Sequence, residues 1–173
     1  LAVILYSLCS YSLAQAADEL ALPKPSASTN EQQIYFVQHN FYVHRNQYLT
    51  TNYHEGTLIP INTRVRLIRT TENVYPIRDS EISRDKVDIE LVDLDNKKIT
   101  IKNVEKYTKM SLPEIKDRMF GNAPVDLEKY SKESKEAIKN GEIRVGITKE
   151  EVLLAYGYPP AFKTPSTDLN KWT

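Results

Sequence analysis

Cysteine, glycine and excess charge of either sign are scarce in this sequence. Its 173 residues include one cysteine, Cys9, so no disulfide can form within the chain. Glycine occurs five times, and neither G-x-G-x-x-G nor G-x-x-x-x-G-K-[ST] is present, which argues against dinucleotide and P-loop nucleotide sites. Basic and acidic residues number 23 each, so the formal net charge is zero. Non-specific nucleic-acid binding, which needs a basic surface, is therefore not expected.

The residues that are present favour a folded, soluble protein. Hydrophobic residues make up 40% and charged residues 27% of the chain, and its length suits one ordinary domain or two small ones. Eleven tyrosines are the main compositional peculiarity. No pattern in the sequence points to a cofactor, and we expect none.

The first 16 residues, LAVILYSLCSYSLAQA, carry no charge and end in an A-x-A pattern. An apolar run before such a pattern is typical of a secretory signal peptide, and this run is too short to span a bilayer. A buried N-terminal helix or strand is the alternative. The positively charged start of a signal is missing, so we expect the sequence to begin inside the signal. The mature protein is then exported and has no transmembrane helix.

Cys9 raises the alternative of a lipid-anchored protein. A lipobox has a small residue just before the cysteine and usually a leucine three residues before it, whereas Leu8 and Tyr6 occupy those places. The sequence therefore favours ordinary cleavage near Ala16 over lipidation, and membrane association stays open.

Residues 17–33 are polar, contain Pro23 and Pro25, and predict a flexible linker. Residues 34–108 favour β-strands, because aromatic and β-branched residues recur there with turn residues between them. VDIELVDLDNKKITIKNV predicts a hairpin that turns at Asp95-Asn96. Pro60 is expected at a strand end, and the charged residues 71–86 are expected to form a long loop.

Residues 109–173 favour helices. Ser111 and Glu114 form a capping-box pattern at the start of one helix, and residues 125–141 predict a second helix that ends at Asn140-Gly141. The clearest pattern is GITKEEVLLAYGYPP. There, Thr148 and Glu151 predict a capping box, and Gly157 suits a left-handed position after the helix.

In that last helix Val152, Leu153 and Tyr156 are expected to form the apolar face, and Pro159 and Pro160 prevent its continuation. None of these residues is chemically reactive in this arrangement. They specify local geometry.

No catalytic set stands out. His39, His44 and His54 could in principle bind zinc or serve a hydrolase, but their spacing matches no metal motif and no G-x-S-x-G pattern occurs. Tyrosine clusters can bind peptide or glycan, although they can also fill a small β core. The predicted binding residues, with no metal ligand among them, are Tyr48, Tyr53, Tyr156 and Trp172.

The segment GEIRVGITKEEVLLAYGYPPAFKTPSTDLNKW resembles the SmpA/OmlA (BamE-like) family of small outer-membrane assembly lipoproteins. The family pattern is a helix, G-x-[IV]-x-x-G-[MI]-[ST]-x-x-[EQ]-V, a second helix that ends in L-G-x-P, and a strand that begins near a tryptophan. The matching residues are Gly141, Ile143, Gly146, Ile147, Thr148, Val152, Gly157 and Pro159, with Trp172 at the expected strand start.

The resemblance implies two helices on a three-stranded antiparallel meander. It covers about the last fifth of the chain, which ends where the meander would begin, so we expect truncation at both ends. The preceding half is similar to small SH3-like barrels of bacterial envelope proteins. The expected α+β fold is a small antiparallel β barrel or sandwich, then helices and a truncated BamE-like module.

Three functions follow as hypotheses. The first is a non-enzymatic protein of the periplasm or the periplasmic face of the outer membrane, which binds other envelope proteins in outer-membrane protein assembly or envelope integrity. The second is a module that binds peptidoglycan or another glycan through the tyrosine-rich β domain. The third is a hydrolase that uses His39, His44 or His54.

Overall fold

The computed structural model describes residues 33–51, 54–72 and 85–172. The predicted signal, the linker up to residue 32, Cys9 and Tyr53 lie outside these residues, as does most of the charged loop predicted over residues 71–86. Among the described residues, no helix is long and apolar enough to cross a membrane.

The protein has a mixed α+β fold with eight described strands and four described helices. The strands are β1 (Ile34–Val37), β2 (Phe41–Val43), β3 (Gln47–Leu49), β4 (Thr57–Ile59), β5 (Arg64–Thr71), β6 (Lys86–Leu91), β7 (Lys97–Lys102) and β8 (Phe120–Gly121). The helices are α1 (Glu105–Thr108), α2 (Leu112–Met119), α3 (Lys132–Asn140) and α4 (Lys149–Tyr156).

Six strands form one curled sheet in the order β3-β7-β6-β5-β1-β8, and β2 pairs with β4 in a separate small sheet. All pairs are antiparallel except β3 with β7, which is parallel. The expectation of a purely antiparallel β region was therefore wrong at this edge. Parallel neighbours need a long connection, and strands β4 to β6 supply it.

The β6–β7 hairpin forms as predicted. Asp95 and Asn96 both have positive φ, 54° and 53°, and Lys97 N donates to Leu94 O at 3.0 Å, which closes the turn. In the strands every second side chain points inward. These side chains form the main hydrophobic core together with residues of α2. Its fully buried members include Val65, Val87, Ile89, Leu91, Ile101 and Leu112.

The helix starts agree with the capping patterns. In α2, Ser111 N donates to Glu114 Oε2 at 2.7 Å. In α4, Thr148 N donates to Glu151 Oε2 at 2.7 Å, and Glu151 N donates to Thr148 Oγ1 at 3.2 Å. Both capping boxes are thus confirmed, and each satisfies backbone N–H groups that have no partner within the helix.

The helix predicted over residues 125–141 begins later than expected, at Lys132. Asp126 Oδ1 accepts a hydrogen bond from Glu128 N at 2.8 Å, and Ser131 Oγ accepts one from Ser134 N at 3.1 Å. The aspartate side chain thus stabilises a local turn, and the serine caps the helix after it. The prediction of a helix was wrong for residues 125–131. There the side chains of Asp126 and Ser131 accept hydrogen bonds from nearby backbone N–H groups, which favours a turn and a later helix start.

The apolar face predicted for α4 is only partly correct. Ala155 and Glu151 are its buried residues, whereas Val152, Leu153 and Tyr156 are half-buried. Gly157 has the predicted positive φ of 77°, but its ψ of −179° is extended rather than left-handed helical. The chain therefore leaves α4 in a conformation that only glycine adopts readily, and then meets Pro159 and Pro160.

A second, smaller core joins α3 and α4 to the strand half of the chain. Its buried members are Ile61, Leu127, Ile138 and Ala155. Asn40, with no exposed surface, lies beside it: its Nδ2 donates to Ile138 O at 2.5 Å and to Ala155 O at 2.9 Å, and its Oδ1 accepts from Ile61 N at 2.6 Å. One asparagine side chain thus holds both helices against the strand half.

Gly141, which ends α3, gives the first testable prediction. Its φ is 70°, and a Cβ there would lie 2.7 Å from the Tyr42 hydroxyl oxygen. We expect Gly141→Ala to lower the free energy of unfolding by about 2 kcal/mol, since it adds a steric clash to a left-handed backbone cost of about 1 kcal/mol. Urea denaturation would measure the change.

Gly146→Ala is the matched control. Gly146 also has a positive φ, 91°, but a Cβ there would meet nothing within 4 Å. It should therefore show the backbone cost alone, about 1 kcal/mol. Equal losses in the two variants would contradict the close approach of Tyr42 to Gly141.

Candidate functional site

A cleft beside the end of α4 has a volume of about 410 Å³. Aromatic rings and prolines make up most of its lining: His54, Tyr156, Pro159, Pro160, Phe162 and Trp172. Ile143 and Val152 add aliphatic surface. The cleft falls within the size range of ligand pockets, which are mostly apolar with a few polar groups.

The end of α4 builds one wall. The His54 ring stacks on Tyr156, with centroids 3.5 Å apart and an interplanar angle of 18°. Tyr42 contacts the His54 ring edge-on, with centroids 5.1 Å apart. His54 Nε2 lies 2.8 Å from Tyr156 O. A carbonyl oxygen only accepts, so Nε2 carries the proton. Burial also lowers the pKa of His54, which keeps the ring neutral at pH 7.

A tight turn after the prolines places Phe162 at the mouth of the cleft. Lys163 N and Thr164 N both donate to Pro160 O at 2.9 Å. The Phe162 ring lies 5.2 Å from the Tyr107 ring and stays 49% exposed.

Hydrogen bonds to a shared carbonyl oxygen link the segment around Trp172 to the first turn of α4. Trp172 Nε1 donates to Leu169 O at 2.9 Å, and Lys149 Nζ donates to the same oxygen at 2.8 Å. The ammonium group lies 5.7 Å from the centroid of the tryptophan ring, within the range of a cation–π contact.

Thr51 is the unusual polar group of this cleft. Its side chain lines the cleft and is 91% buried, yet Oγ1 has no hydrogen-bond partner among the described residues. An unpaired buried hydroxyl costs about 1–3 kcal/mol. Such a group in a native structure calls for an explanation.

Two exposed apolar side chains, Ile143 and Phe162, are part of the cleft lining. Seven large hydrophobic residues are exposed among the described residues, and four of them lie between positions 143 and 169: Ile143, Val145, Phe162 and Leu169. Ile143 is 53% and Val145 is fully exposed. Exposed apolar surface rimming a groove is typical of a site for a protein or an apolar ligand.

The predicted binding residues fall into different places. Tyr156 and Trp172 line the cleft together with Gly157, Val152 and Pro159. Tyr48 is 5% exposed and packs against Phe41, with ring centroids 5.0 Å apart, so it belongs to the core rather than to this cleft. Tyr53 lies outside the described residues.

The three histidines are dispersed. His39 is buried beside Tyr158, His44 is exposed near Glu55, and His54 lies in the cleft. The described residues hold no group of three or more His, Cys, Asp or Glu side chains that could bind a metal ion.

Thr51 and Phe162 were missed by the sequence reasoning. A threonine between strand-forming residues carries no signal of its own. The run YPPAFK, an aromatic residue behind two prolines, could have indicated that Phe162 stays at the surface.

No protein-family model, curated protein or solved structure matches this chain.

Proposed function

We propose that this is a non-enzymatic envelope protein, exported to the periplasm, that acts by binding another protein through the aromatic cleft. The observation that carries the proposal is the cleft itself, with apolar walls and two exposed apolar residues, Ile143 and Phe162, in its lining. The signal-like residues 1–16 support export.

The resemblance to the SmpA/OmlA family supports a role in outer-membrane protein assembly or envelope integrity. Several residues of the family-like pattern stand where they shape the helix pair: Gly141 ends α3, Thr148 caps α4 and Gly157 turns the chain out of α4. We include in the proposal that this pair is a BamE-like module and that the curled sheet is an SH3-like module.

Glycan binding is the weaker candidate. Tyr48, one of the tyrosines on which that hypothesis depended, is buried. The lining of the cleft has few polar side chains, Thr51, His54 and Lys163, beside the Tyr156 hydroxyl and the indole N–H of Trp172. A sugar carries a hydroxyl on most of its carbons. Burying these hydroxyls without hydrogen-bond partners weakens binding.

Cell fractionation followed by cross-linking tests the proposal. The full chain should appear in envelope fractions and cross-link to a partner protein. Ile143→Ser should weaken partner capture about tenfold or more, because it puts a hydroxyl into an apolar contact. A protein found only in the cytosol would rule out the proposal.

Ile68→Ser is the matched control. Ile68 is the same residue type, has similar exposure, 45% against 53%, and is not among the residues that line the cleft. It should capture the partner as the unchanged protein does. Equal loss of partner capture in both variants would indicate non-specific hydrophobic binding. Retention of the protein on purified peptidoglycan, without capture of a partner protein, would favour the glycan candidate.

A further inference from the structure

His39 is a titratable ring enclosed in the fold, and no acid lies beside it. The side chain is 5% exposed, and its Nδ1 has no hydrogen-bond partner among the described residues. The ring lines a cavity of about 40 Å³, and none of the described residues that line this cavity carries a carboxylate. A proton added to the ring therefore has no counter-charge in the cavity.

The charged and titratable groups around His39 come from three parts of the fold. Arg118, on α2, is a permanent cation, and burial of the ring together with this charge lowers the pKa of His39 to about 4. Tyr48, on β3, is neutral, because burial raises its pKa. Tyr158, after α4, contacts the His39 ring edge-on, with centroids 5.3 Å apart. Glu114, one turn before Arg118, is exposed, and its carboxylate accepts hydrogen bonds from the N-cap serine of α2.

Tyr158 links this small cavity to the aromatic cleft. The Arg118 guanidinium lies 4.2 Å from the centroid of the Tyr158 ring, which is a cation–π contact. Pro159 and Pro160 follow Tyr158 in the chain and line both the small cavity and the cleft. All three residues are half-buried, and a proline has no N–H to bond to the rest of the fold. The Tyr158 ring therefore anchors the segment that the two linings share.

We propose that protonation of His39 releases residues 158–161 and thereby opens one wall of the aromatic cleft in acid. The inference goes beyond the proposed function, because it concerns the free protein and needs no partner.

Release of this segment relieves the repulsion between two cations. A protonated His39 and the Arg118 guanidinium both contact the Tyr158 ring, with no acid in the cavity to separate their charges. The backbone at His39 is fixed, since Gln38 N and Asn40 N donate to carbonyl oxygens of α2 and α4 at 2.9 and 3.0 Å. If the Arg118 side chain turns to water instead, Tyr158 loses its cation–π contact. Either movement weakens the anchor.

The direction of the pH effect follows from the two states of the ring. Enclosed, His39 has a pKa of about 4, whereas in water it has its ordinary value of 6.5. The released form therefore binds the proton more tightly and becomes more populated as pH falls, by up to about 300-fold once both forms are protonated. Because release also breaks contacts, we expect its midpoint between about pH 4 and pH 5.

Trp172 reports the movement, because it is the only tryptophan in the chain and lines the same cleft. The experiment measures acrylamide quenching of its fluorescence in the full chain from pH 7 to pH 4. We expect the quenching constant to rise about twofold while the far-UV circular dichroism stays constant, as for a local opening. Loss of the dichroism signal with the same midpoint would show global unfolding and overturn the inference.

His39→Phe keeps a buried ring that cannot take a proton, so it should abolish the rise in quenching. All carboxylates remain in this variant, and a rise that persisted would therefore contradict a role of His39. His44→Phe, at an exposed position, should keep the rise. His54→Phe should keep it too. If only His54→Phe lost the rise, the acid response would come from the cleft histidine and the inference would be wrong.

Tyr158→Ala tests the anchor itself. Without the ring, the quenching constant should already be high at pH 7 and should rise little further in acid. A value at pH 7 equal to that of the unchanged protein would contradict the anchor. If these results fail while partner capture still depends on Ile143, the proposed function stands without the acid response.

Discussion

Replacing Asn40 by alanine is expected to lower the free energy of unfolding by about 3–4 kcal/mol. The substitution leaves Ile138 O, Ala155 O and Ile61 N without their side-chain partner in a place with no exposed surface. Each unsatisfied buried group costs about 1–3 kcal/mol, and water entering the vacated space offsets part of the total. Urea denaturation followed by far-UV circular dichroism would measure the loss.

Asn122→Ala is the matched control for this experiment. Asn122 is exposed, and its side-chain oxygen accepts one hydrogen bond, from Gln33 Nε2 at 2.9 Å. We expect it to change the stability by less than about 0.5 kcal/mol. If Asn40→Ala lowered the free energy of unfolding by as little, the hydrogen bonds of Asn40 would not be what holds α3 and α4 against the strand half.

Acidification is expected to destabilise the protein through His39. Burial, together with the nearby Arg118 charge, lowers the pKa of His39 from 6.5 to about 4. Between these two values the unfolded chain binds a proton on this ring and the folded chain does not, so stability falls as pH falls. Above pH 6.5 the ring is neutral in both states and has no such effect. At pH 4 the free energy of unfolding is lower by about 3 kcal/mol because of His39 alone.

The His39→Phe variant isolates this effect from the carboxylates. Asp88, Asp93 and Glu151 have lowered pKa values in the fold, and they also reduce stability in acid. Their contributions cancel when the unfolding free energies of the variant and the unchanged protein are compared at each pH. The variant should lose less stability between pH 6.5 and pH 4, and parallel curves would contradict a neutral, buried His39.

His44→Phe serves as the control for ring replacement. The His44 side chain is 51% exposed, so it does not share the burial that affects His39. Its pH profile should follow that of the unchanged protein. If His44→Phe lost less stability than the unchanged protein between pH 6.5 and pH 4, the acid sensitivity would come from His44 and not from His39.

Local patterns predicted the parts of the fold that depend on neighbouring residues. The alternation in β6 and β7, the Asp95-Asn96 turn and the Thr148–Glu151 capping box were all visible, because each arises within a few residues. The late start of α3 shows the limit of this reasoning. There, an apolar spacing suggested helix while Asp126 and Ser131 stabilised other local bonds.

The candidate site was visible only in part. Tyr156 and Trp172 were singled out as binding residues and lie in one cleft, but Tyr48, chosen for the same aromatic character, is in the core. Composition shows which side chains can bind a ligand. It does not show which of them the fold leaves exposed.

The sequence by itself determined the α+β class, the hairpin and most helix ends, because hydrogen bonds between close neighbours and the strand period decide them. The tertiary structure alone decided the parallel β3–β7 pair, the Asn40 hydrogen bonds to both helices and the cleft that brings Thr51 to Trp172. Each of these joins residues far apart in the chain. Such contacts depend on how whole elements pack, since a buried polar group finds its partner only after the fold has brought that partner near.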